Sequence, residues 1–452
     1  MAVDSADSLR GVRIRVIVSL AAIVGLLLCV GSASAKTLAQ SMARVSVPAA
    51  DRSANLKTLA DAQALATRLG GSRAVALKAI IKSATQIGNQ AAFSPELARI
   101  EFLEMQSNVT YLASNALPSS GTRIRIDGVV YESYTGQGLR IQPLGTYFAI
   151  LEPGQGIVSE GGVGAAMTSA QKIVLADGDS YTLPYLFSWM GHGPNWQSAM
   201  AEGVAASAGL SAWNRTGDDT FLDSAVRFGN GALNDAITVD NNGLWFPLYV
   251  FAPSYRVLNG HMQAVLAMND LADATGDDGF ADAFNRGVAT TKAVLPKYDT
   301  GGWGRYAIGE DAPVKYMTLM ATQLKDLGQI TGDPAFTDMG NKFTADLKTP
   351  PVITGPAKPP KPIKLKKFKQ QKPFIKLRIA RDKPVTLTLR IFTKKGKSAG
   401  VGPVVISVSS GASRIKLNLP TKAGRYSIRA DAKDWAGNKV KNVVLTTLIL
   451  KK

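Results

Sequence analysis

Cysteine and histidine are almost missing from this sequence: 452 residues hold one cysteine, Cys29, and two histidines, His192 and His261. A single cysteine cannot close an intrachain disulfide, so the fold must stand on its core alone. Zinc sites draw their ligands from several cysteines and histidines, so none is expected here, although oxygen-ligand metals stay open. The apolar run Val16–Val30 falls short of the ~20 residues that a membrane-spanning helix needs. It follows Arg10, Arg13 and Arg15 and precedes Ala33-Ser34-Ala35, the layout of a secretory signal. Residues 1–35 therefore read as a signal peptide that removes Cys29 with it and leaves no transmembrane anchor; an uncleaved anchor is the alternative. The expected location is secreted, extracellular or at the cell envelope.

Acidic residues are scarce in the last quarter. Residues 351–452 carry 25 Lys+Arg against 3 Asp+Glu, whereas the first 350 residues carry 27 against 31, so the overall +18 resides in the C-terminal part. Such a field attracts polyanions. The candidates are acidic glycans, teichoic acids, anionic lipid and nucleic acid; export makes nucleic acid the least expected, and an acidic polysaccharide, with an anionic cell-envelope polymer reached through the basic C-terminal domain, is the expected partner. A tail that only keeps the protein soluble is the other reading.

The pattern along the chain is multidomain α+β. Residues 36–120 are helical by apolar spacing, with Ala54–Leu69 and Ala74–Ile87 as segments and Ser94-Pro95 as a capped helix start. In residues 121–184 the period becomes that of strands, and Ile126-Asp127-Gly128-Val129 signals a hairpin. Residues 185–349 read as helical again from Trp189. Thr216-Gly217-Asp218, Thr275-Gly276-Asp277 and Thr331-Gly332-Asp333 each stand between two periodic segments. Glycine suits the end of one helix and aspartate the cap of the next, so the unit is a helical hairpin used three times, and its expected assembly is an α/α toroid. Residues 350–372 form a Pro/Lys-rich linker, expected to be stiff and extended. Residues 373–452 alternate as strands over Val385–Ile391, Val404–Val408, Ile415–Leu419, Tyr426–Ala430 and Val443–Leu448, which suits an immunoglobulin-like β-sandwich.

Nucleophile motifs and phosphate loops do not occur. Aromatic and polar residues instead concentrate between Tyr185 and Tyr316, among them Trp189, His192, Trp196, Gln197, Glu202, Trp245, Tyr249, Tyr255, Arg256, Asn259, Tyr298, Trp303, Arg305 and Tyr306. A cleft of aromatics with a few polar groups suits a sugar. Each aromatic taken singly is equally a core residue.

Several ordered blocks resemble the catalytic region of the D-glucuronyl C5-epimerase family. They are Tyr134–Leu144, Trp196–Gly203, Pro253-Ser254 followed by Val257-Leu258-Asn259-Gly260, and Leu295-Pro296-Lys297-Tyr298-Asp299. The resemblance implies C5 inversion of D-glucuronic to L-iduronic acid units, without a cofactor. It implies Tyr249, Tyr306 and Tyr316 as proton-transfer residues, and its blocks place Trp196, Gln197, Glu202, Asn259 and Tyr298 among the substrate-binding ones. Arg305 and Lys315, next to Tyr306 and Tyr316 in sequence, and Arg256 are the candidate cations that bind the substrate carboxylate. The chain departs from the family pattern at Pro247-Leu248, where an acidic pair stands, and at Met317, where a histidine stands. The rival expectations are a polysaccharide lyase, which shares the C5 proton abstraction, and a non-catalytic binder of acidic glycans.

Overall fold

The computed structural model describes residues 36–151, 162–368 and 371–452. The expected signal peptide, with Cys29, lies outside the described residues. The chain is mixed α and β and divides into two compact units. The first holds the residues up to Asp235 together with Tyr249–Phe251 and Asp270–Asp277, and the second holds the rest.

The first unit opens with helices α1 (Leu38–Met42), α2 (Ala49–Arg68), α3 (Gly71–Gly88) and α4 (Pro95–Ser114). Ser94 caps α4 by accepting from the Leu97 amide at 3.1 Å, with Pro95 in the first turn. Strands β1 (Arg123–Ile126), β2 (Val129–Tyr134) and β3 (Gly138–Ile141) form an antiparallel sheet. Asp127 and Gly128 turn between β1 and β2 with φ of 48° and 89°, the left-handed pair that a two-residue hairpin requires. Helices α5 (Pro143–Leu151) and α6 (Val163–Ala170) follow, then the short hairpin β4 (Leu175–Asp177) and β5 (Ser180–Thr182), then α7 (Ala199–Thr216) and α8 (Asp219–Asp235).

Buried charge fixes the first unit. Arg140 on β3 bridges Glu104 on α4 at 2.8 Å, and both are almost fully buried. Glu104 also accepts from the Ile141 amide at 2.8 Å, and Arg140 donates to Ser83 at 3.0 Å. Desolvation raises the Glu104 pKa, opposed by Arg140. Breaking such a pair from one side costs about 3–5 kcal/mol, because it strands the other charge.

The second unit carries the hairpin β6 (Ile237–Val239) and β7 (Gly243–Trp245), and most of helix α9 (Leu258–Thr275). It continues with α10 (Asp278–Val294), hairpin β8 (Arg305–Ala307) and β9 (Glu310–Asp311), α11 (Val314–Thr331) and α12 (Pro334–Asp346). Two sheets complete it. Strands β10 (Ile353–Thr354), β12 (Phe374–Arg381) and β15 (Gly411–Asn418) form one, in the order β10-β12-β15. The other runs β11-β17-β16-β13-β14, from β11 (Ile363–Lys364), β13 (Val385–Thr393), β14 (Val404–Val408), β16 (Gly424–Asp434) and β17 (Lys439–Lys451). Leu377, Ile379, Ile415 and Leu417 of the first sheet share one apolar core with Leu387, Leu389, Ile428 and Leu448 of the second. Ile353, in the stretch expected to be a stiff, extended linker without a core, belongs to that core as well.

The three Thr-Gly-Asp turns are alike. Gly217, Gly276 and Gly332 have φ of 70°, 69° and 68°, the left-handed conformation that ends a helix without a Cβ penalty. In each, the threonine hydroxyl donates back into its helix, to Ala212 O, Leu271 O and Leu327 O at 2.8, 2.7 and 2.6 Å. The same hydroxyl accepts from the following aspartate amide at 3.2 Å in all three. Across the helix crossings, a Cβ on Gly209 of α7 would come within 2.9 Å of Ala225, and one on Gly287 of α10 within 2.6 Å of Val265. Glycine lets these backbones approach.

Residues 189–198, expected to begin the helical region, are not helical. Met190 and Gly191, with φ of 49° and 83°, make a tight turn between Trp189 and His192, and Gly193-Pro194 prevents a helix from starting. The helix begins at Ala199, capped by Ser198.

Candidate functional site

In the first unit, the 184–198 loop folds back so that Tyr185 pairs with Trp196, with their rings stacked 3.9 Å apart at 4°. The Trp196 indole N–H donates to Phe187 O at 2.8 Å. Around this pair stand Tyr134, 4.8 Å from Phe187, and Tyr249, 5.6 Å from Trp196. Phe251 stacks on His192 at 4.4 Å. Trp196 is buried at 6% exposure, so its ring supports the wall rather than facing solvent. Tyr249, Phe251 and Trp189 are half-buried and His192 is exposed. Gln197, half-buried, accepts from the Val250 amide at 3.2 Å through its carbonyl and so holds the turn that carries Tyr249. Tyr134, Phe187 and Phe251 were not singled out by sequence reasoning, because no spacing distinguishes them from core aromatics.

Glu202 sits one turn into α7 and is fully buried. One carboxylate oxygen accepts from the Leu183 amide at 3.1 Å, and the other has no partner. Burial, and then the Asp235 carboxylate, raise its pKa well above the ordinary range, while burial pushes Asp235 up to about 6. Placed there, Glu202 braces α7 against the β5 loop instead of touching solvent. For such raised acids the folded chain keeps protons that the unfolded chain releases. Their stabilising contribution is complete below the ordinary value of 4.5 for Glu202 and is lost as pH rises through the folded values. Glu202→Gln keeps the acceptor and removes the ionisation. It is expected to raise stability at pH 8 by about 1–3 kcal/mol, the range for one buried unsatisfied polar group, and to change nothing at pH 4. Thermal melts of the two proteins across that range check this; parallel curves would refute it.

In the second unit, β8 and β9 pair Arg305 with Asp311 and Ala307 with Glu310, and the register shifts between these pairs in a bulge at Tyr306. Bulges re-aim a side chain, and the Tyr306 ring meets that of Tyr316, in the first turn of α11, at a centroid distance of 4.9 Å and a tilt of 45°. Tyr306 is half-buried and Tyr316 is 36% exposed. The β9 end is held by Tyr255, whose hydroxyl donates to Glu310 at 2.5 Å. Val257 bridges to Ala307, which joins the start of α9 to the same hairpin.

Arg256 lies beside this hairpin's partner strand segment, its guanidinium 5.7 Å over the Trp245 ring and its carbonyl accepting from the Tyr298 hydroxyl at 2.8 Å. Tyr298 is buried, and burial raises its pKa. It therefore holds the Arg256 backbone. Arg305 donates to Lys297 O at 3.3 Å. Asn259 is buried at 1% exposure; its carbonyl accepts from Gln323 on α11 at 3.1 Å. His261 stacks on Trp245 at 4.0 Å. Its Nδ1 accepts from the Phe246 amide at 3.1 Å, so Nε2 carries the proton and faces Thr291 at 3.1 Å. Burial lowers its pKa to about 3, so it is a neutral prop for Trp245. Met317, at the position of a family histidine, is fully buried.

The predicted residues thus fall in two groups, Trp196, Gln197, Glu202 and Tyr249 in the first unit and Arg256, Asn259, Tyr298, Arg305, Tyr306 and Tyr316 in the second. Among the described residues no cluster of three His, Cys, Asp or Glu side chains is placed to hold a metal ion. A groove of about 750 Å³ in the first unit is lined by Ser207, Trp213, Arg215 and Asp270 among others, and contains none of the predicted residues.

Residues 178–345 match the family described as D-glucuronyl C5-epimerase C-terminus. The chain is 28% identical over 162 residues to an uncharacterised protein of Methanocaldococcus jannaschii, covering 33% of this chain and 51% of that one. It is 29% identical over 125 residues to the D-glucuronyl C5-epimerase of Caenorhabditis elegans, covering 24% of this chain and 20% of the relative. The matches therefore span about half of the archaeal protein and a fifth of the nematode enzyme. Among solved structures, a sugar epimerase from a ruminal bacterium aligns with a TM-score of 0.34 at 11% identity, over 46% of this chain and 58% of that one. A GH76 alpha-mannanase of Bacteroides thetaiotaomicron aligns with 0.35 at 14% identity, over 46% and 60%.

Proposed function

Residues 178–345 belong to the D-glucuronyl C5-epimerase C-terminal family, and from that premise we propose that this chain is an exported carbohydrate epimerase acting on an acidic polysaccharide. Its reaction is inversion at C5 of D-glucuronic acid units, giving L-iduronic acid units. The observation that carries this reading is the bulge that turns Tyr306 onto Tyr316 inside the family segment.

The chemistry asks for little else. The C5 proton lies α to a carboxylate, so its removal places enolate charge on the carboxylate oxygens. A base takes the proton from one face, and an acid returns one to the other. Cationic donors stabilise the charge as it forms. Tyr306 and Tyr316 are the proton-transfer groups of the second unit. Arg305, next to Tyr306 in β8, and Arg256, whose guanidinium is braced on Trp245, are the cations for the carboxylate. A tyrosine with an ordinary pKa of about 10 needs such cations to act as a base near neutrality. Tyr249 is the third proton-transfer residue of the proposal, and the aromatic wall around Trp196 and Phe251 offers faces for sugar stacking. Asn259, Tyr298 and Glu202 act at one remove, by positioning α9, Arg256 and α7. The helical hairpins are read as parts of an α/α toroid, supported by their three matching turns. The two C-terminal sheets are read as an immunoglobulin-like sandwich, supported by their shared core.

The test is proton NMR of glucuronic-acid polysaccharides incubated with the protein in deuterated water. Loss of the C5 proton signal with new L-iduronate resonances is the expected result, and it should survive a metal chelator. Retention of the signal across several acidic glycans would overturn the proposal, and an ultraviolet-absorbing unsaturated uronate would replace it with a lyase.

A further inference from the structure

The three-stranded sheet carries a charge pattern that its fold does not need. β12 and β15 pair antiparallel with Lys376 directly opposite Lys416 and Arg378 directly opposite Arg414. All four side chains are exposed, while the alternate residues Leu377, Ile379, Ile415 and Leu417 face the core. Like charges directly opposite one another repel and destabilise a sheet. Among the described residues no carboxylate forms an ion pair with any of the four.

The neighbouring five-stranded sheet treats the same problem differently. There Arg390 also stands opposite Arg429, but Arg390 pairs with Asp431, and Arg429 donates to Asn442 at 3.0 Å. Protection of a sheet edge against further strand pairing is achieved with charge of either sign. A Lys-Glu pair across β12 and β15 would give that protection together with attraction. Four cations and no carboxylate give repulsion instead, which an external anion would relieve.

We infer that the outer face of the β10-β12-β15 sheet, through Lys376, Arg378, Arg414 and Lys416, docks a linear acidic polysaccharide. Successive rows on a strand are about 7 Å apart and the two strands about 5 Å apart, which presents cations at regular intervals along the strands. Phe374 closes one end of this array on the same face as Lys376, with the Lys416 ammonium 4.5 Å over its ring. An aromatic ring beside cations suits the apolar face of a sugar whose carboxylate is paired. A face that inserts into a membrane would carry apolar side chains at its centre, where only cations stand. The choice of a glycan as the polyanion rests on the proposed function, whose substrate class it extends to a second site.

The experiment compares three full-length proteins binding polyglucuronate, neutral dextran, phosphatidylglycerol vesicles and single-stranded DNA. One is the unaltered chain; one carries Lys376→Gln, Arg378→Gln, Arg414→Gln and Lys416→Gln. The third loses four other exposed cations, by Lys394→Gln, Lys395→Gln, Lys397→Gln and Lys422→Gln. The sheet variant is expected to bind polyglucuronate at least tenfold more weakly than the unaltered chain, and the loop variant within threefold. Affinity should fall with salt, as screened ion pairing requires. The sheet variant should also melt at a higher temperature, because removing the repulsion stabilises the strands. Equal losses in both variants would show that net charge alone binds and would overturn the inference, as would tighter binding of vesicles or DNA than of polyglucuronate. Should the fourfold variant fail to fold, Lys376→Glu with Arg414→Glu creates two attractive cross-strand pairs and tests the same loss. A protein with Tyr249→Phe, Tyr306→Phe and Tyr316→Phe should keep the docking affinity, so absence of epimerisation and absence of docking are read separately.

Discussion

Tyr306→Phe is expected to lower kcat by about 10²–10⁴, the usual range for loss of a general acid or base, and Tyr316→Phe by a similar factor. The geometry adds a sharper expectation. A sugar ring flanked on both faces needs its flanking groups about 7–8 Å apart, twice the optimal carbon contact of about 3.5–4.0 Å. Tyr306 and Tyr316 stand 4.9 Å apart, centroid to centroid, which leaves no room for a ring between them. In the proposed reaction they would therefore serve one face together, one hydroxyl moving the proton and the other holding it in position. Both single variants should fail at the same step, and the double variant should be no slower than the worse single one, as for residues that act as a unit. Solvent exchange separates the steps. An enzyme that has lost only the group of one face still exchanges the C5 proton of one epimer in deuterated water while forming no product. If Tyr306→Phe exchanges only D-glucuronate units and Tyr316→Phe only L-iduronate units, the two tyrosines act on opposite faces and the shared role is wrong. Tyr249→Phe is the substitution that searches for the opposite-face group by the same assay.

Much of the scaffold behind these tyrosines was legible because it is local. The Ser94-Pro95 helix start, the Asp127-Gly128 turn and the three Thr-Gly-Asp turns each arise from backbone preferences and one or two hydrogen bonds within a few residues. The strands from Val385 onward alternate cleanly because one face of each meets an apolar core. What sequence reasoning missed depends on partners far away in the chain. Phe374–Arg381 interleaves Lys376 and Arg378 with its core residues and adjoins the Pro/Lys stretch, so its composition concealed a central strand. Ile353 looked like linker because its neighbours are prolines, although its own side chain is core.

The candidate site was legible by position and less so by role. Tyr306 and Tyr316 are ten positions apart, and nothing in that spacing announces a bulge that brings their rings together. Trp196, Glu202, Asn259 and Tyr298 were grouped with the substrate-contacting residues on resemblance, yet all four are buried. Aromatic and amide side chains serve a wall and its backing equally well, and only burial separates the two.

Lys383 supplies the second large effect: Lys383→Met is expected to cost about 3–5 kcal/mol, the penalty for stranding one member of a buried ion pair. Its ammonium is 3.6 Å from the Asp434 carboxylate, with both side chains essentially inaccessible. It also donates to Thr349 O at 2.5 Å and to Asp346 O, so one cation closes the end of α12 onto β16. Methionine keeps the length and apolar stem while leaving Asp434 with only Asn438 as a hydrogen-bonding partner. Adding Asp434→Asn should recover more than half of the loss, since the uncompensated charge is then gone; a double-mutant cycle from chemical denaturation measures this coupling. A cost below 1 kcal/mol would mean that the pair is not buried as described. The consequence reaches the tyrosines. Asp311, the last residue of the hairpin that displays Tyr306, accepts from the Ser410 amide at 2.7 Å and from its hydroxyl at 2.5 Å. Thr300, before the same hairpin, donates to Asp382 O at 2.8 Å, next to Lys383. The C-terminal sheets thus grip the Tyr306 hairpin from both ends, and Lys383 anchors the gripping strands. Loosening that anchor should lower kcat for C5 exchange at temperatures where the protein is still folded, because the hairpin that aims Tyr306 and carries Arg305 would lose its fixed support.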